Sequence, residues 1–420
     1  MADSAEPKSK IHVAQPEPGI TPEMLIERAR ALIPMLRAQQ DEADAQGHYT
    51  DEVHQAFKAA GLYRILQPRM FGGWEMDFPS FLKVVIEIGR GHPGAAWCYT
   101  LTSSHALVVA AHFPEEVQAE IFGPDGDFRS PHRAPPSGKF VRTDGGYRVS
   151  GKWAYASGVP VATHFIGGAV IKDEGQAPRT VNFIVPREKI TILEDWGNGA
   201  SLGMEASGSN SVELGDVFVP DRHFFREDIL LTSQDFGPAD GQGARIHGNP
   251  MYLGVVGGFF HVTFGGIYVG AARAALDEYE ETARSQSPHR RPDITRLEDG
   301  DSQVAFGRAL TLTDSAEALT LAVAEMCMEQ CRRAVRDNTP ITVADTIKVW
   351  AMSRQACLMA TEAIDTLFVA SPVRAANKGQ KMQRYMRDAQ MYRIHPSSQP
   401  WLDPAHAKST WGMPIGRFGR

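Results

Sequence analysis

The chain has 420 residues, of which 43% are hydrophobic and 22% are charged, and its formal net charge is -7. This is the composition of an ordinary soluble globular protein, and the length allows two or three domains with large cores. The acidic balance argues against nucleic acid as a partner. No window approaches the run of about eighteen uncharged apolar residues that a membrane helix needs, so no membrane association is expected.

The N-terminal end and the cysteines bear on the location of the protein. Residues 1–20 mix acidic residues, basic residues and proline without an apolar stretch, which indicates a disordered tail rather than a signal peptide. The cysteines lie inside helical patterns and lack the second ligand pair of a zinc site, so neither a disulfide framework nor a metal site is predicted. We therefore expect a cytoplasmic protein. The four cysteines are Cys98, Cys327, Cys331 and Cys357.

Residues 21–123 show apolar residues at helical spacing, which predicts an N-terminal α domain. Thr21-Pro22-Glu23 combines an N-cap, a proline at the first helical position and an acid in the first turn. Thr50 opens a second helix, which Gly61 can close in the left-handed conformation. The predicted helices run from Thr21 through Leu36, from Thr50 to Gly61, from Pro79 to Gly89, from Pro93 to Ala111, and onward from Pro114.

Residues 124–229 alternate with a period of two, which predicts a middle β domain folded as an antiparallel barrel or sandwich. Asp144-Gly145-Gly146 predicts a tight hairpin between the first two strands. Residues 230–249 are rich in Gly and Asp and predict a loop. The predicted strands are Phe140–Arg142, Tyr147–Ser150, Trp153–Ser157, His164–Ile171, Val181–Pro186 and Val212–Val219.

Residues 250–395 return to the helical period and predict a C-terminal four-helix bundle, which completes an α+β fold. Gly265-Gly266-x-x-x-Gly270 has no preceding strand and is not a dinucleotide fingerprint, so we interpret it as close helix packing. Residues 396–420 are expected to form a C-terminal tail. The predicted bundle helices are Met251–Arg284, Ser302–Arg336, Val343–Phe368 and Lys381–Ile394.

Two short motifs carry a family resemblance. Residues 387–399 run Arg-Asp-Ala-Gln-Met-Tyr-Arg-Ile-His-Pro-Ser-Ser-Gln, and residues 151–158 run Gly-Lys-Trp-Ala-Tyr-Ala-Ser-Gly. The first resembles the closing signature of the acyl-CoA dehydrogenase superfamily, and the second resembles its flavin-facing strand. The dehydrogenases carry a catalytic Glu where this chain has His395-Pro396. A related branch, the flavin-dependent monooxygenases of two-component systems, carries a His there.

The resemblance implies an oxygenase component that takes reduced FMN or FAD from a separate NAD(P)H-dependent flavin reductase. In that branch the reduced flavin reacts with O₂ to give a C4a-hydroperoxide, and one oxygen atom is inserted into a small aromatic substrate. A phenol hydroxylated next to its hydroxyl group is the expected substrate, with sulfur or nitrogen oxygenation of a heteroaromatic as an alternative. The family also implies a homo-oligomer, expected to be a tetramer.

The resemblance implies roles for the two motifs. His395 is the expected catalytic residue, because an imidazole can donate to the peroxide and manage its proton. Ser157 matches the hydroxyl that hydrogen-bonds the flavin near N5, and we expect it to share in catalysis. Trp153 belongs to the same flavin-binding motif. Without the family, His395 indicates only a helix end before Pro396, and Ser157 only a turn.

Further candidate flavin ligands lie in three places. Ser130 and His132 belong to the loop that lines flavin and substrate in the dehydrogenases, although its Pro-rich sequence departs from the family pattern and puts a thioester substrate in doubt. Arg284 resembles an arginine that grips the flavin phosphate from a neighbouring subunit. Ser371 falls where the family's Gly-rich loop meets the flavin. A surface loop and solvated charges are the structural alternatives.

The expected substrate-binding residues lie on the apolar fourth helix. His105 is placed to hydrogen-bond a substrate hydroxyl, with a satisfied core histidine as the alternative, and Trp97 and Tyr99 are near it in sequence. Two other functions stay open. An acyl-CoA dehydrogenase or oxidase could use a relocated base, for which Glu278 and Glu280 are available. The chain could also be a non-catalytic flavin-fold scaffold that binds a partner.

Overall fold

The computed structural model describes residues 13–226, 235, 237, 241–254 and 256–415. Helices, strands and helices follow one another, which confirms the predicted α+β architecture. No helix in these ranges combines the length and the apolar run needed to cross a membrane. The N-terminal helices are α1 (Pro22–Ala31), α2 (Ile33–Ala38), α3 (Gln40–Gln46), α4 (Asp51–Ala59), α5 (Phe78–Gly91), α6 (Pro93–Ser103), α7 (Ala106–His112) and α8 (Glu115–Phe122).

The predicted helix starts are confirmed, while the first helix is shorter than predicted. The Thr21 hydroxyl accepts the Met24 N–H at 3.3 Å. Gly61 follows α4 with φ +74°, the left-handed conformation expected of a helix stop. α1 ends before Leu32 because Pro34 has no N–H with which to continue the helical ladder. Before α1, Val13 forms a bridge with Phe71, so the end of the expected tail is ordered, while residues 1–12 lie outside the described residues.

The predicted fourth helix is broken into α6 and α7. Near the break, the hydroxyls of Thr102 and Ser103 donate back to the carbonyls of Cys98 and Tyr99, both at 2.7 Å. Such back-bonding competes with the backbone ladder and bends helices. The break places His105 at the corner between α6 and α7.

The middle domain is a sandwich of two four-stranded sheets, with strand orders β1-β4-β5-β8 and β2-β3-β7-β6. Trp153 of one sheet packs against Phe183 of the other, with ring centroids 5.4 Å apart, so both sheets share one core. The described strands pair antiparallel except for the parallel β1–β4 pair. They are β1 (His132–Arg133), β2 (Lys139–Thr143), β3 (Gly146–Trp153), β4 (His164–Ile171), β5 (Arg179–Pro186), β6 (Thr191–Ile192), β7 (Val212–Pro220) and β8 (Phe224–Arg226).

The strand that was expected to carry Ser157 ends earlier. β3 continues through an irregularity between Val149 and Gly151 and stops at Trp153, so the predicted strand Trp153–Ser157 is wrong. Ser157 instead lies in irregular backbone just before Gly158, whose φ of +85° opens a 3-10 turn. Because it is outside the strand ladder, this segment can present side chains towards the neighbouring helices.

The C-terminal bundle has the four predicted helices, with ends shifted by a few residues. The predicted loop 230–249 contains a short helix α9 (Gly243–His247), and its residues 230–234, 236 and 238–240 lie outside the described residues. The expected C-terminal tail contains α14 (Leu402–Thr410), which packs on the bundle through Leu402 and Ala405. The bundle helices are α10 (Val256–Ser285), α11 (Gly300–Asp337), α12 (Val343–Ala370) and α13 (Lys381–Ile394).

α10 crosses α5 at a point where glycines bring the two backbones into direct contact. A Cβ on Gly270 would lie 2.5 Å from the Ile86 carbonyl oxygen and 2.7 Å from the Gly89 Cα. On another face of α10, a Cβ on Gly265 would lie 2.6 Å from the Thr320 hydroxyl of α11. This confirms that the glycine motif serves close packing. The crossing fixes the N-terminal domain against the bundle.

We predict that Gly270→Ala destabilises the fold by about 1–3 kcal/mol, because the new methyl group meets backbone atoms and forces the two helices apart. Gly307→Ala is the matched control, since a Cβ at this helical glycine meets nothing within 4 Å. The control should be neutral or more stable by up to about 1 kcal/mol. Urea unfolding measures both, and equal free energies of unfolding for the two variants would contradict the close crossing.

Candidate active site

The structure brings three predicted site residues into one cluster at the meeting point of the three domains. The indole N–H of Trp97, on α6, donates to the Ser157 hydroxyl at 3.0 Å. The ring of His395, at the end of α13, stands edge-on to Trp97 with centroids 5.5 Å apart. The ring centroid of Phe264, on α10, lies 4.8 Å from that of His395. The Phe264 ring also stacks on Trp97, with centroids 4.9 Å apart. We call Trp97, Ser157, Phe264 and His395 the indole cluster.

Ser157 belongs to a row of hydroxyl groups. Its Oγ lies 2.8 Å from Ser209 Oγ, which in turn lies 2.6 Å from Ser207 Oγ. Because Trp97 already donates to Ser157, the serine proton is directed towards Ser209 or towards a bound ligand. Nearby in sequence, Tyr155 is 57% exposed and its ring lies 5.4 Å from that of Trp196. An exposed aromatic ring beside a hydroxyl suits a flat heterocycle.

His395 is held as a neutral imidazole of defined tautomer. Its Nδ1 accepts the backbone N–H of Ser397 at 3.2 Å. Burial, with the nearby Arg133 charge in addition, lowers the pKa of His395 to about 4. The neutral ring therefore carries its proton on Nε2 at pH 7. Within the described part of the chain Nε2 has no hydrogen-bond partner, so it can donate to a ligand.

A second cluster joins His105 and His132, and we call it the histidine pair. The rings are edge-on, with centroids 5.4 Å apart. His105 Nδ1 lies 2.8 Å from the Ser130 carbonyl, which can only accept, so Nδ1 carries the proton and Nε2 is a lone pair. That Nε2 is buried and has no hydrogen-bond partner among the described residues. His132 Nε2 lies 3.0 Å from the Asn182 Oδ1.

The histidine pair is uncharged at neutral pH and adjoins the indole cluster. Burial lowers the pKa of His105 to about 4. Burial, with the neighbouring His105 in addition, lowers the pKa of His132 to about 3. Phe260 connects the two clusters, because it stacks on His105 at 6.3 Å and stands edge-on to Phe264 at 5.1 Å. The two clusters therefore border one apolar region with few polar groups.

Several residues of this region were missed by sequence reasoning. Arg133 donates its Nε–H to the Ala154 carbonyl, and its charge acts on both His395 and His132. It stands next to His132 in the Pro-rich loop, which was its only sequence signal. Ser209 lies 52 residues from Ser157 and had no such signal. His261 stacks on Trp350 behind the indole cluster, with centroids 3.6 Å apart.

Two predicted site residues lie apart from both clusters. Tyr99 is fully buried in the helical core, and its hydroxyl donates to the Leu62 carbonyl at 2.8 Å. Trp153 is buried in the β sandwich, and its indole N–H donates to the Gly168 carbonyl at 2.9 Å. Since both polar groups are satisfied inside the core, these side chains support the fold rather than face a ligand.

Ser371 lines a separate pocket of about 270 Å³ between the end of α10 and the segment after α12. Arg284 forms an exposed ion pair with Glu280 at 2.6 Å. It follows Phe264 by 20 residues, which corresponds to about 30 Å along a helix. Neither residue joins the two clusters within one chain, and their contact with a flavin phosphate stays a prediction. Besides Ser371, the residues that line this pocket include Ser285, Gln286, Arg374 and Gln380.

The glutamates considered as a relocated base are also distant. Glu278 follows Phe264 by 14 residues, or about 21 Å along α10, and its carboxylate lies 3.6 Å from Lys381 Nζ. Glu280 pairs with Arg284 at the surface. Neither carboxylate can reach the indole cluster. Among the described residues, no group of three or more His, Cys, Asp or Glu side chains could hold a metal ion.

Comparisons with known proteins identify the family of the chain. The model "Acyl-CoA dehydrogenase, N-terminal domain" matches residues 21–125, and "Acyl-CoA dehydrogenase, C-terminal domain" matches residues 262–400. The flavin-dependent monooxygenase oxygenase subunit HsaA of Rhodococcus jostii (strain RHA1) is 29% identical over 406 residues, which cover 94% of this chain and 98% of that protein.

Two further matches span nearly the whole chain. The oxygenase component of p-hydroxyphenylacetate 3-hydroxylase from Acinetobacter baumannii is 23% identical and covers 93% of this chain and 89% of its own. XiaF from Streptomyces sp., solved in complex with FADH2 and glycerol, shares the fold with a TM-score of 0.82 at 23% identity, covering 94% of this chain and 96% of its own. The two domain models, which together match more than half of the chain, show that the chain belongs to the acyl-CoA dehydrogenase superfamily.

Proposed function

We propose that this chain is the oxygenase component of a two-component flavin-dependent monooxygenase that hydroxylates a small phenolic substrate. The observation that carries the proposal is the convergence of Ser157, Trp97 and His395, beside the uncharged histidine pair. This arrangement supplies hydrogen bonds to a bound ring system while bringing almost no charge. The relatives that span the whole chain are oxygenase components, which agrees with this chemistry.

The residues present fit a flavin. Tyr155 offers an exposed aromatic surface, Ser157 a half-buried hydroxyl, and Arg133 a partly buried cation that can face an electron-rich ring. When bound, the reduced FMN or FAD activates O₂ and supplies the oxygen atom that the substrate gains. We assign Ser157 to the ring edge of the flavin, because it supplies the hydroxyl group of the indole cluster.

His395 is assigned the donor role at the reacting oxygen. With Nδ1 occupied by the Ser397 N–H, its Nε2–H is the group that can donate a hydrogen bond to that oxygen. Trp97 and Phe264 cover the ring on two sides and keep water from competing for that proton. A neutral donor also avoids placing a fixed charge in an apolar region.

His105 is assigned to the substrate. Its buried Nε2 lone pair needs a donor, and a phenolic O–H meets that need. Accepting this hydrogen bond draws the phenolic proton towards nitrogen and increases electron density on the ring, which favours attack by an electrophilic oxygen. A sulfur or nitrogen heteroaromatic without a hydroxyl would leave the lone pair unsatisfied, so we favour the phenol. We assign His132 and Ser130 to the wall that orients the substrate.

The proposed partners rest on the absence of a dinucleotide fingerprint from the sequence and on the pocket lined by Ser371. No dinucleotide fingerprint is visible in the sequence, so reducing equivalents would come from a separate flavin reductase. We propose a homotetramer in which Arg284 and Ser371 approach the flavin phosphate of a neighbouring subunit, since they lie far from their own indole cluster. The four buried free thiols suit the cytoplasm.

We predict that the purified chain, given flavin, NADH and a phenol, oxidises no NADH until a flavin reductase is added. Hydroxylated product should then form. Acyl-CoA added to the protein with oxidised FAD under anaerobic conditions should cause no bleaching, because neither Glu278 nor Glu280 reaches the cluster. NADH absorbance, product chromatography and the flavin spectrum measure these outcomes. Turnover without reductase would contradict the two-component assignment. Bleaching of FAD by acyl-CoA would favour the dehydrogenase alternative.

We predict that His395→Ala and Ser157→Ala uncouple the reaction, lowering product formed per reduced flavin consumed by about 5- to 150-fold and releasing H₂O₂ instead. Each variant removes a hydrogen bond worth roughly 1–3 kcal/mol at the reacting centre. The affinity for reduced flavin should change little, because the phosphate contacts lie elsewhere. His289→Ala, at an exposed histidine, is the control. Wild-type coupling in both variants would show that neither residue faces the flavin.

We predict that His105→Phe weakens binding of phenolic substrates by about 5- to 150-fold, because the phenolic O–H loses its acceptor. Binding of an analogue that lacks the hydroxyl should be unchanged or tighter. Calorimetric titration of both compounds in the presence of reduced flavin makes the comparison, with His289→Phe, at an exposed histidine, as the control. Equal losses for the phenol and the analogue would contradict a hydroxyl contact and indicate a packing role for His105.

A further inference from the structure

The turn that follows α13 controls which nitrogen of His395 carries the proton. We propose that Trp350 and His261 are positioning residues for His395, because they fix Ser397 in the orientation that occupies Nδ1 and leaves Nε2 protonated. The catalytic value of this arrangement rests on the proposed function, whereas the tautomer itself does not.

Ser397 is held at each of its polar groups. Its backbone N–H donates to His395 Nδ1 at 3.2 Å, and its carbonyl accepts the Trp350 indole N–H at 3.0 Å. Its hydroxyl lies 3.0 Å from His261 Nδ1. The residue is 2% exposed, so water cannot replace these partners. The turn Pro396–Ser398 is a single 3-10 turn and is too short to hold this orientation alone.

The two holding residues lie on two different bundle helices and stack on each other. His261 on α10 and Trp350 on α12 stack with centroids 3.6 Å apart and an interplanar angle of 7°. Trp401, beside α14, closes the far side of Trp350 edge-on at 4.8 Å. The position of Ser397 is therefore set by two bundle helices and not by the turn.

The selection of the tautomer must come from the Nδ1 side. A neutral imidazole donates from only one of its two nitrogens. On the other side, Phe264 has no hydrogen-bonding group, and the only N–H of the Trp97 indole is already used by Ser157. Without the Ser397 N–H at Nδ1, both tautomers would be populated, and a fraction of the molecules would present a lone pair where a donor is needed.

The test observes the tautomer directly in the flavin-free protein. Histidines are labelled with ¹⁵N, and the His395 signals are identified by their absence in His395→Gln. The wild type should show a single Nε2–H tautomer, whereas Trp350→Phe, which removes the indole N–H, should show a mixture. Trp411→Phe, at a tryptophan that is 72% exposed, is the matched control and should match the wild type. In the enzyme supplied with reduced flavin, the product formed per reduced flavin consumed should fall about fivefold in Trp350→Phe. It should stay at the wild-type value in Trp411→Phe.

A second variant guards against a folding defect. Replacing Trp350 with 3-benzothienylalanine exchanges the N–H for sulfur and retains the ring and its stacking on His261. A single Nε2–H tautomer in this variant would overturn the proposal. A mixture would support it, and if coupling then stayed at the wild-type value, the positioning role would stand while the donor role of His395 under the proposed function would fall.

Discussion

An imidazole buried without a counter-charge stays neutral, and each of its nitrogens then has one fixed role. This constraint organises the candidate site. Burial depresses the pKa of His105, His132 and His395 alike, so none carries charge at neutral pH. The backbone then decides what each ring offers: the Ser130 carbonyl makes His105 Nε2 an acceptor, and the Ser397 N–H makes His395 Nε2 a donor. One side of the apolar region can therefore accept a hydrogen bond and the other can donate one.

That division depends on the relative placement of three domains. His105 sits at the corner between α6 and α7, Ser157 follows a β strand, and His395 ends a bundle helix. Their spacing is set by close contacts elsewhere, above all the crossing of α5 and α10 at Gly89 and Gly270, where no side chain separates the backbones. A shift of even 1 Å at this crossing would move α6 relative to α13. Packing far from the chemistry is therefore part of the site.

The sequence allowed the fold to be predicted well, because the signals used were local. Helix caps such as Thr21 and the period of α13 depend on neighbouring residues alone, and both were confirmed. The failures had two causes. The break before His105 coincides with hydroxyls that bond back to the helix, a local effect that the apolar period does not reveal. The end of β3 at Trp153 depends on tertiary contacts in the core of the sandwich.

The site was less predictable, and for a different reason. The motif that contains Ser157 also contains Trp153 and Tyr155, and sequence alone could not decide which aromatic ring faces outward. The structure buries Trp153 and exposes Tyr155. Tyr99 fails in the same way, since it is only two residues from Trp97 but lies on the opposite side of α6, where its hydroxyl bonds to Leu62. Proximity in sequence does not predict a shared face.

The position of His395 explains why a helix end suits this chemistry. A histidine inside a helix would have its surroundings set by residues three and four positions away on the same helix. Beyond the last turn, the backbone of His395 is extended, so its ring can accept from the Ser397 N–H while its other edge faces α6 and α10. Pro396 ends the helix and cannot donate to the last carbonyls, which leaves the following N–H groups free to turn back. His395-Pro396 therefore determines the backbone path at this helix end as well as the functional group.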